Sequence, residues 1–308
     1  MSLDGWRQSI EAIANDRKSG ASEIASVCLD VMADYASHSL PSVSLYEVKD
    51  DLVRAAERLL SGQPAMAPVL CICNAALLAV ERSTTSQEAL GSLHAAMSAL
   101  RQRMQNARSE IAGRFLSAYS EIQSVVTLSY SSTVAAALRA AGRAGTNLEV
   151  TVLESRPALE GRTMARIAAD AGLRTTLAVD AAGWNVMERA DMWMSGADAL
   201  LGSGVVNKVG TASLAAAAYA QGKQGVVLCE TMKIWPGTVA FPALGDFPPA
   251  EVWEEAPKHI EVVNRYFERV PWTLVDRVLT EEGPLNEQQV VSRTTTYSVA
   301  ASLRGHFV

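Results

Sequence analysis

The chain has 308 residues, 49% hydrophobic and 19% charged, with a net charge of −6, which is enough for a large core in one or two domains. No basic stripe runs along it, which argues against direct nucleic-acid binding, and no run of 18 apolar residues argues for a membrane span. Its four cysteines form no CxxC pair and have no nearby histidines, so reduced thiols in the cytoplasm are expected rather than zinc or disulfides.

The first residues, MSLDGWRQSI, carry Asp4 and Arg7 and no apolar core, so no signal peptide is expected. From Trp6 to about Tyr119 apolar residues recur at helical spacing and alanine is abundant. Breaks fall at Lys18-Ser19-Gly20, Ser39-Leu40-Pro41, Ser61-Gly62-Gln63-Pro64 and Ser83-Thr84-Thr85-Ser86, which predicts four or five helices, the last a long one opening at Ser86. The character changes at Ser124. Strands are predicted at Ser124–Tyr130, Leu148–Glu154, Thr175–Val179, from Met192, and at Gly225–Cys229. The helices between them run from Ser131 to Ala144, Gly161 to Ala171, Trp184 to Arg189 and Ala212 to Gln221. A proline-rich loop follows (Pro236 to Pro249), and Val275 to Thr280 reads as an edge strand. The prediction is an α/β chain: a helical N-terminal domain over 1–119, then a Rossmann-like, mostly parallel sheet with helices on both faces over 120–308.

In such a sheet ligands bind outside the carboxyl ends of the strands. Polar residues follow one strand after another there: Tyr130 and Ser131, Glu154 to Arg156, Asp180, Asp198, then Glu230 and Lys233. The stretch Met192 to Thr211 reads as a buried strand, an exposed Asp198, a glycine-rich turn, then Asn207-Lys208 and a helix start. No G-x-G-x-x-G follows the first strand, and Gly202-Ser203-Gly204 lacks the rest of a P-loop, so neither a dinucleotide nor a nucleoside triphosphate is expected. A smaller anion remains: Ser131, Ser132 and Thr133 offer hydroxyls and helix N-terminal amides, Gly210-Thr211 begins a second helix in the same manner, and Lys208 and Arg156 supply countercharge. The serines also read simply as helix caps.

Four segments in order, Glu154-Ser155-Arg156-Pro157, Gly196-Ala197-Asp198, Asn207-Lys208-Val209-Gly210-Thr211 and Thr280-Glu281-Glu282-Gly283, resemble the family of translation initiation factor 2B alpha, beta and delta subunits. That family includes aldose–ketose isomerases acting on methylthioribose 1-phosphate and ribose 1,5-bisphosphate. The resemblance implies that Asp198 matches the isomerases' catalytic Asp. Their catalytic Cys falls at Tyr130, so the thiol is absent. Their Arg-Gly-Ala reads Ser19-Gly20-Ala21 here, and their Arg-Pro reads Gln63-Pro64. Gly20, Ala21, Asn207, Lys208, Arg156 and Lys233 remain as implied ligand contacts. A tyrosine, whose ordinary pKa is about 10, is a poor base near neutral pH but a usable acid; alternatively Tyr130 narrows a vestigial pocket, and Asp198 serves turn geometry.

Three readings follow. The first is a protein that binds a phosphorylated sugar or nucleotide without the isomerase machinery. The alternative is an aldose–ketose isomerase in which Asp198 moves the protons and Tyr130 assists. The second alternative is a non-catalytic assembly subunit. No cofactor or metal is expected. The resemblance also implies a homodimer or higher homo-oligomer.

Overall fold

A computed structural model describes residues 3–16, 21–38 and 43–304. The chain divides into two compact units. The first contains residues 1–105, 232–242 and 293–308; the second contains 106–231 and 243–292.

The first unit is helical. Its elements are α1 (Leu3–Asn15), α2 (Ala21–His38), α3 (Leu45–Gly62), α4 (Ala67–Glu81) and the first part of α5 (Ser86–Ala118). The predicted breaks at Ser61-Gly62-Gln63-Pro64 and Ser83-Thr84-Thr85-Ser86 fall at the α3–α4 and α4–α5 junctions, while Lys18-Ser19-Gly20 and Ser39-Leu40-Pro41 lie outside the described residues. Ser44 and Glu47 close a reciprocal capping box at the start of α3, which satisfies amides that the helix itself leaves open. Buried side chains surround most of α4, including Val69, Leu70, Ile72, Cys73, Ala76 and Leu77, the pattern of a central helix. Asn74 on α4 donates to Ser298 O and accepts from Ala300 N–H, each at 2.9 Å.

The second unit is built on a seven-stranded sheet. In chain order its strands and helices are β1 (Ser124–Leu128), α6 (Ser132–Arg143), β2 (Glu149–Leu153), α7 (Gly161–Asp170), β3 (Arg174–Ala178), α8 (Gly183–Met187), β4 (Met192–Ser195), β5 (Ala199–Leu201), β6 (Gly204–Lys208), α9 (Thr211–Ala220), β7 (Gln224–Leu228), β8 (Phe267–Val270), β9 (Arg277–Thr280), β10 (Gly283–Leu285) and α10 (Glu287–Thr296), whose last residues pass into the first unit. The sheet order is β10-β9-β7-β4-β1-β2-β3, with every pairing parallel except that of β10. Met192 and Met194 join a core cluster with Phe115 of α5, Leu138 of α6 and Met164 of α7. Trp193 lies between them in sequence and so turns to the opposite face, where it is also buried. Burial on both faces is what a parallel sheet requires.

Two strand readings change. Val275 to Thr280 was expected at the edge, but β9 is internal and β10 lies outside it. The stretch after β4 was expected to be a glycine-rich turn. It is instead a hairpin, β5 and β6, which β8 extends into a separate antiparallel sheet of order β5-β6-β8. All residues of β5 and β6 are buried, so their sequence shows no polar–apolar alternation from which a strand is read.

Candidate functional site

From β1 the chain crosses through α6 to β2 on one side, and later returns through β4 on the other. The sheet order therefore reverses between β1 and β4, and the carboxyl ends of these two strands flank the crevice where open α/β sheets bind ligands. Tyr130, just past β1, is 48% exposed. Ser131 is the N-cap of α6, its Oγ accepting from Val134 N–H at 3.3 Å, and Ser132 is the first residue of that helix. Just past β4, a Cβ on Gly196 would lie 2.4 Å from Ser131 Oγ and 2.6 Å from Ser131 Cβ. The two strand ends meet there, and only a glycine fits.

The Glu154-Ser155-Arg156-Pro157 segment, after β2, is held from three directions. Asp180, after β3, accepts Ser155 N–H and Arg156 N–H, one on each carboxylate oxygen and both at 2.7 Å. Ser155 Oγ accepts Ser129 N–H at 2.6 Å and donates to Leu153 O at 3.1 Å. A Cβ on Gly161 would lie 1.9 Å from Leu153 O, so α7 starts hard against the end of β2. Asp180 thus has both oxygens committed to shaping this turn. Arg156 is exposed; its guanidinium donates to Val252 O at 3.3 Å and has no ion pair among the described residues.

Asp198 was expected to be exposed and is half-buried. Its N–H donates to Val206 O at 2.8 Å, although Val206 pairs with Ala199, so two successive residues address Val206 where β5 begins. Asn207 and Lys208, expected between that turn and a helix start, end β6, paired with Glu268 and Phe267 of β8. As neighbours on a strand they face opposite ways. Asn207 Nδ2 donates to Thr211 Oγ1 at 3.0 Å. Beside it, Glu268 Oε1 accepts Gly210 N–H and Ala212 N–H, both at 2.8 Å. The anion-binding start of a helix predicted at Gly210-Thr211 is therefore already filled by a carboxylate of the chain itself.

Lys208 is buried and ion-paired. Its Nζ lies 2.8 Å from Glu160 Oε1 and 4.3 Å from the centre of the Tyr266 ring, an arrangement that favours a cation over the ring face. Tyr266 stacks on Phe247 with ring centres 3.9 Å apart and donates its hydroxyl to Glu251 Oε2 at 2.7 Å. Burial, followed by the hydrogen bond and charge of Glu251, pushes the Tyr266 phenol up to about 12. Lys208 was expected to supply free countercharge; Glu160 neutralises it.

Glu230, at the end of β7, is buried and accepts Thr133 Oγ1 at 3.1 Å and Arg108 Nε at 3.4 Å. Glu281 of the Thr280-Glu281-Glu282-Gly283 segment accepts Thr231 N–H at 3.0 Å, and Thr280 Oγ1 donates to Gly283 O at 2.8 Å, closing the β9–β10 turn.

Ala21 and Lys233 belong to the first unit. Ala21 opens α2, and Lys233 is buried. Gly20 and Ser19 lie outside the described residues. Gln63, which stands where the resemblance implies Arg, is buried and donates to Ile13 O at 2.9 Å and Asp16 O at 2.7 Å: it ties the end of α3 to α1. Among the described residues no group of three or more His, Cys, Asp or Glu could hold a metal ion, and no helix is long and apolar enough to cross a membrane. Glu160, Tyr266 and Glu268 were not singled out from sequence as site residues. Glu160 sits where a helix-capping acid is ordinary, and the two others lie in and beside a strand whose partner was itself unread.

The family model of the Initiation factor 2 subunit family matches residues 17–287. Among curated proteins, the chain is 31% identical over 183 residues to ribose 1,5-bisphosphate isomerase of Haloterrigena turkmenica, covering 54% of this chain and 56% of that one. It is 23% identical over 291 residues to the ribose 1,5-bisphosphate isomerase of Methanocaldococcus jannaschii, covering 93% of both. The chain spans about half the length of most of the curated relatives it matches. Among solved structures, translation initiation factor eIF-2B of Pyrococcus horikoshii OT3 superposes with a TM-score of 0.73 at 23% identity, over 92% of this chain and 98% of that one. The 5-methylthioribose 1-phosphate isomerase of the same organism gives 0.71 at 20% identity, over 98% and 86%. These structures share the fold: a helical N-terminal region followed by a mostly parallel sheet. The chain belongs to the Initiation factor 2 subunit family.

Proposed function

We propose that this protein binds a phosphorylated sugar at the carboxyl edge of its seven-stranded sheet, with Asp198 as the carboxylate facing the sugar. The observation that carries this reading is the strand-order reversal between β1 and β4, where Ser131 and Ser132 open α6 beside the Gly196-Ala197-Asp198 segment. In this reading the α6 amides, the two serine hydroxyls and the Arg156 guanidinium meet phosphate. Lys208 lies beside the sugar, and Asn207, on the opposite face of β6, holds the start of α9 through Thr211. Calorimetric titration with ribose 1,5-bisphosphate, 5-methylthioribose 1-phosphate and AMP tests it; no binding by any of them refutes it.

A second reading, an aldose–ketose isomerase, is supported by the relatives named ribose 1,5-bisphosphate isomerase. Isomerisation moves a proton between C1 and C2, and a positioned acid or base contributes about 10²–10⁴-fold to such a step. Here Asp198 is the proposed base, and Tyr130, in place of a thiol, is the acid. Incubation with ribose 1,5-bisphosphate, followed by NMR for the ketose, separates binding from turnover. Turnover lost in Asp198→Asn with binding retained establishes the enzyme. Light scattering tests the proposed homo-oligomer, and pull-down from a cell extract with and without sugar phosphate tests the assembly-subunit reading. A cytoplasmic location belongs to the same proposal.

A further inference from the structure

The seven-stranded sheet has a second edge, at the amino ends of its strands. Met192, Gln224 and Arg277 open β4, β7 and β9, which are neighbours in the sheet, so the three residues start on the side away from the carboxyl edge, a strand's length or about 15 Å from it. Tyr119 directly follows α5. These four residues, with Gly225 and Asp276, line a cleft of about 340 Å³, and all six belong to the second unit. A cleft of that size holds a small molecule.

Two opposite charges line this cleft without neutralising each other. Asp276 is fixed at the head of β9: its Oδ2 accepts Gly225 N–H at 2.7 Å, and its own N–H donates to Gly225 O at 3.0 Å. Its Oδ1 takes no hydrogen bond among the described residues. The Arg277 guanidinium donates to Asp276 O at 3.2 Å and has no ion pair among the described residues. Half-buried Tyr119 senses both charges: burial raises its phenol above the ordinary value, with Arg277 opposing the rise and Asp276 adding to it. Its hydroxyl therefore stays protonated and donates. The exposed Gln224 has a carboxamide that both donates and accepts, and Met192 and the Tyr119 ring supply an apolar wall.

This set of groups selects by charge. Asp276 disfavours phosphate and other simple anions, and Arg277 disfavours simple cations. A molecule carrying both charges satisfies both: its carboxylate meets the planar fork of Arg277 and the Tyr119 hydroxyl, and its ammonium meets Asp276 Oδ1 and the Gln224 carbonyl. Consecutive residues carry the two protein charges, which suits a ligand whose own two charges sit on a single carbon.

We propose that the cleft at the amino ends of β4, β7 and β9 binds a free α-amino acid, with its carboxylate on Arg277 and Tyr119 and its ammonium on Asp276 and Gln224. The site is separate from the sugar-phosphate reading and does not depend on it. Saturation-transfer NMR of the whole chain with each of the common L-amino acids identifies the binder. Calorimetry then compares that amino acid with its desamino acid, which lacks the ammonium, and its amide, which lacks the carboxylate, on the wild type, Arg277→Gln and Tyr119→Phe. Each analogue is expected to bind the wild type about tenfold more weakly than the amino acid, the weight of one hydrogen bond to a charged group. Arg277→Gln is expected to weaken the amino acid by a similar factor, and Tyr119→Phe by about threefold, the weight of a neutral hydrogen bond. Arg277 is exposed, so its replacement leaves the core untouched; should it still fail to fold, Tyr119→Phe carries the same comparison. The proposal falls if no amino acid binds at millimolar concentration. It falls equally if the desamino acid binds as tightly as the amino acid, which marks a site for any carboxylate, or if affinity is unchanged in both variants, which places the amino acid elsewhere on the chain.

Discussion

Lys208→Met offers a quantitative test of the ion pair, because the pair lies within one compact unit and its geometry is defined. At 2.8 Å and an effective dielectric of about 20, Coulomb's law gives about 6 kcal/mol of attraction. Taking the nearly buried ammonium out of water offsets most of this, and the partly exposed Glu160 is further screened, so a net coupling of about 2 kcal/mol is expected. A double-mutant cycle of Lys208→Met, Glu160→Gln and the pair isolates it. Amide hydrogen exchange at Val150 and Val152 of the internal strand β2 reads the stability of this unit without requiring the whole chain to unfold at once. The single Lys208→Met variant is expected to lose more than the double variant, because a carboxylate left without its ammonium is worse than a neutral pair. Strictly additive effects, with a coupling below about 0.5 kcal/mol, would refute the reasoning.

Gly196→Ala drives a methyl into Ser131 and is expected to cost about 1–3 kcal/mol, with partial rescue by Ser131→Gly; thermal denaturation measures it, and an unchanged midpoint argues against close apposition of the two strand ends. Glu268→Gln weakens the two bonds that cap α9 and should cost about 1 kcal/mol, read as faster amide exchange in the first turn of that helix. Tyr266→Phe tests the raised phenol. A group whose pKa is higher in the folded chain adds stability that is complete below the unfolded value of about 10 and lost as pH rises through the folded one, about 12. The wild type should therefore lose more stability than the variant between these two values; equal losses in chemical denaturation across that window contradict the assignment.

The helices and the parallel strands were legible because their signals are local. Breaks rich in serine, glycine and proline punctuate the sequence of the first unit, and apolar strands alternate with alanine-rich helices in the second. The hairpin of β5 and β6 was not legible, since both strands are buried throughout and its partner β8 lies some sixty residues further on. The candidate site divides in the same way. Ser131, Asp198 and Arg156 announce themselves as polar residues at strand ends. What sequence does not carry is commitment: Asp180 spends both oxygens on the turn after β2, Glu230 is bound to Thr133 and Arg108, and Lys208 is claimed by Glu160. A charge that is free in the sequence becomes a paired charge only through contacts between distant segments.

The hairpin that carries Asn207 and Lys208 also limits how this protein can change. The two residues serve different partners only because a strand alternates its faces, so the length of the Gly202-Ser203 turn between β5 and β6 decides which residue looks where. One inserted or deleted residue that slid β6 by a single step would turn Lys208 toward the capped start of α9 and Asn207 toward Glu160, exchanging cation for amide with no substitution at either position. Point changes on this hairpin can be gradual, whereas changes in turn length are all-or-nothing. Libraries meant to vary the contacts of this hairpin should therefore change side chains and hold the turn at two residues.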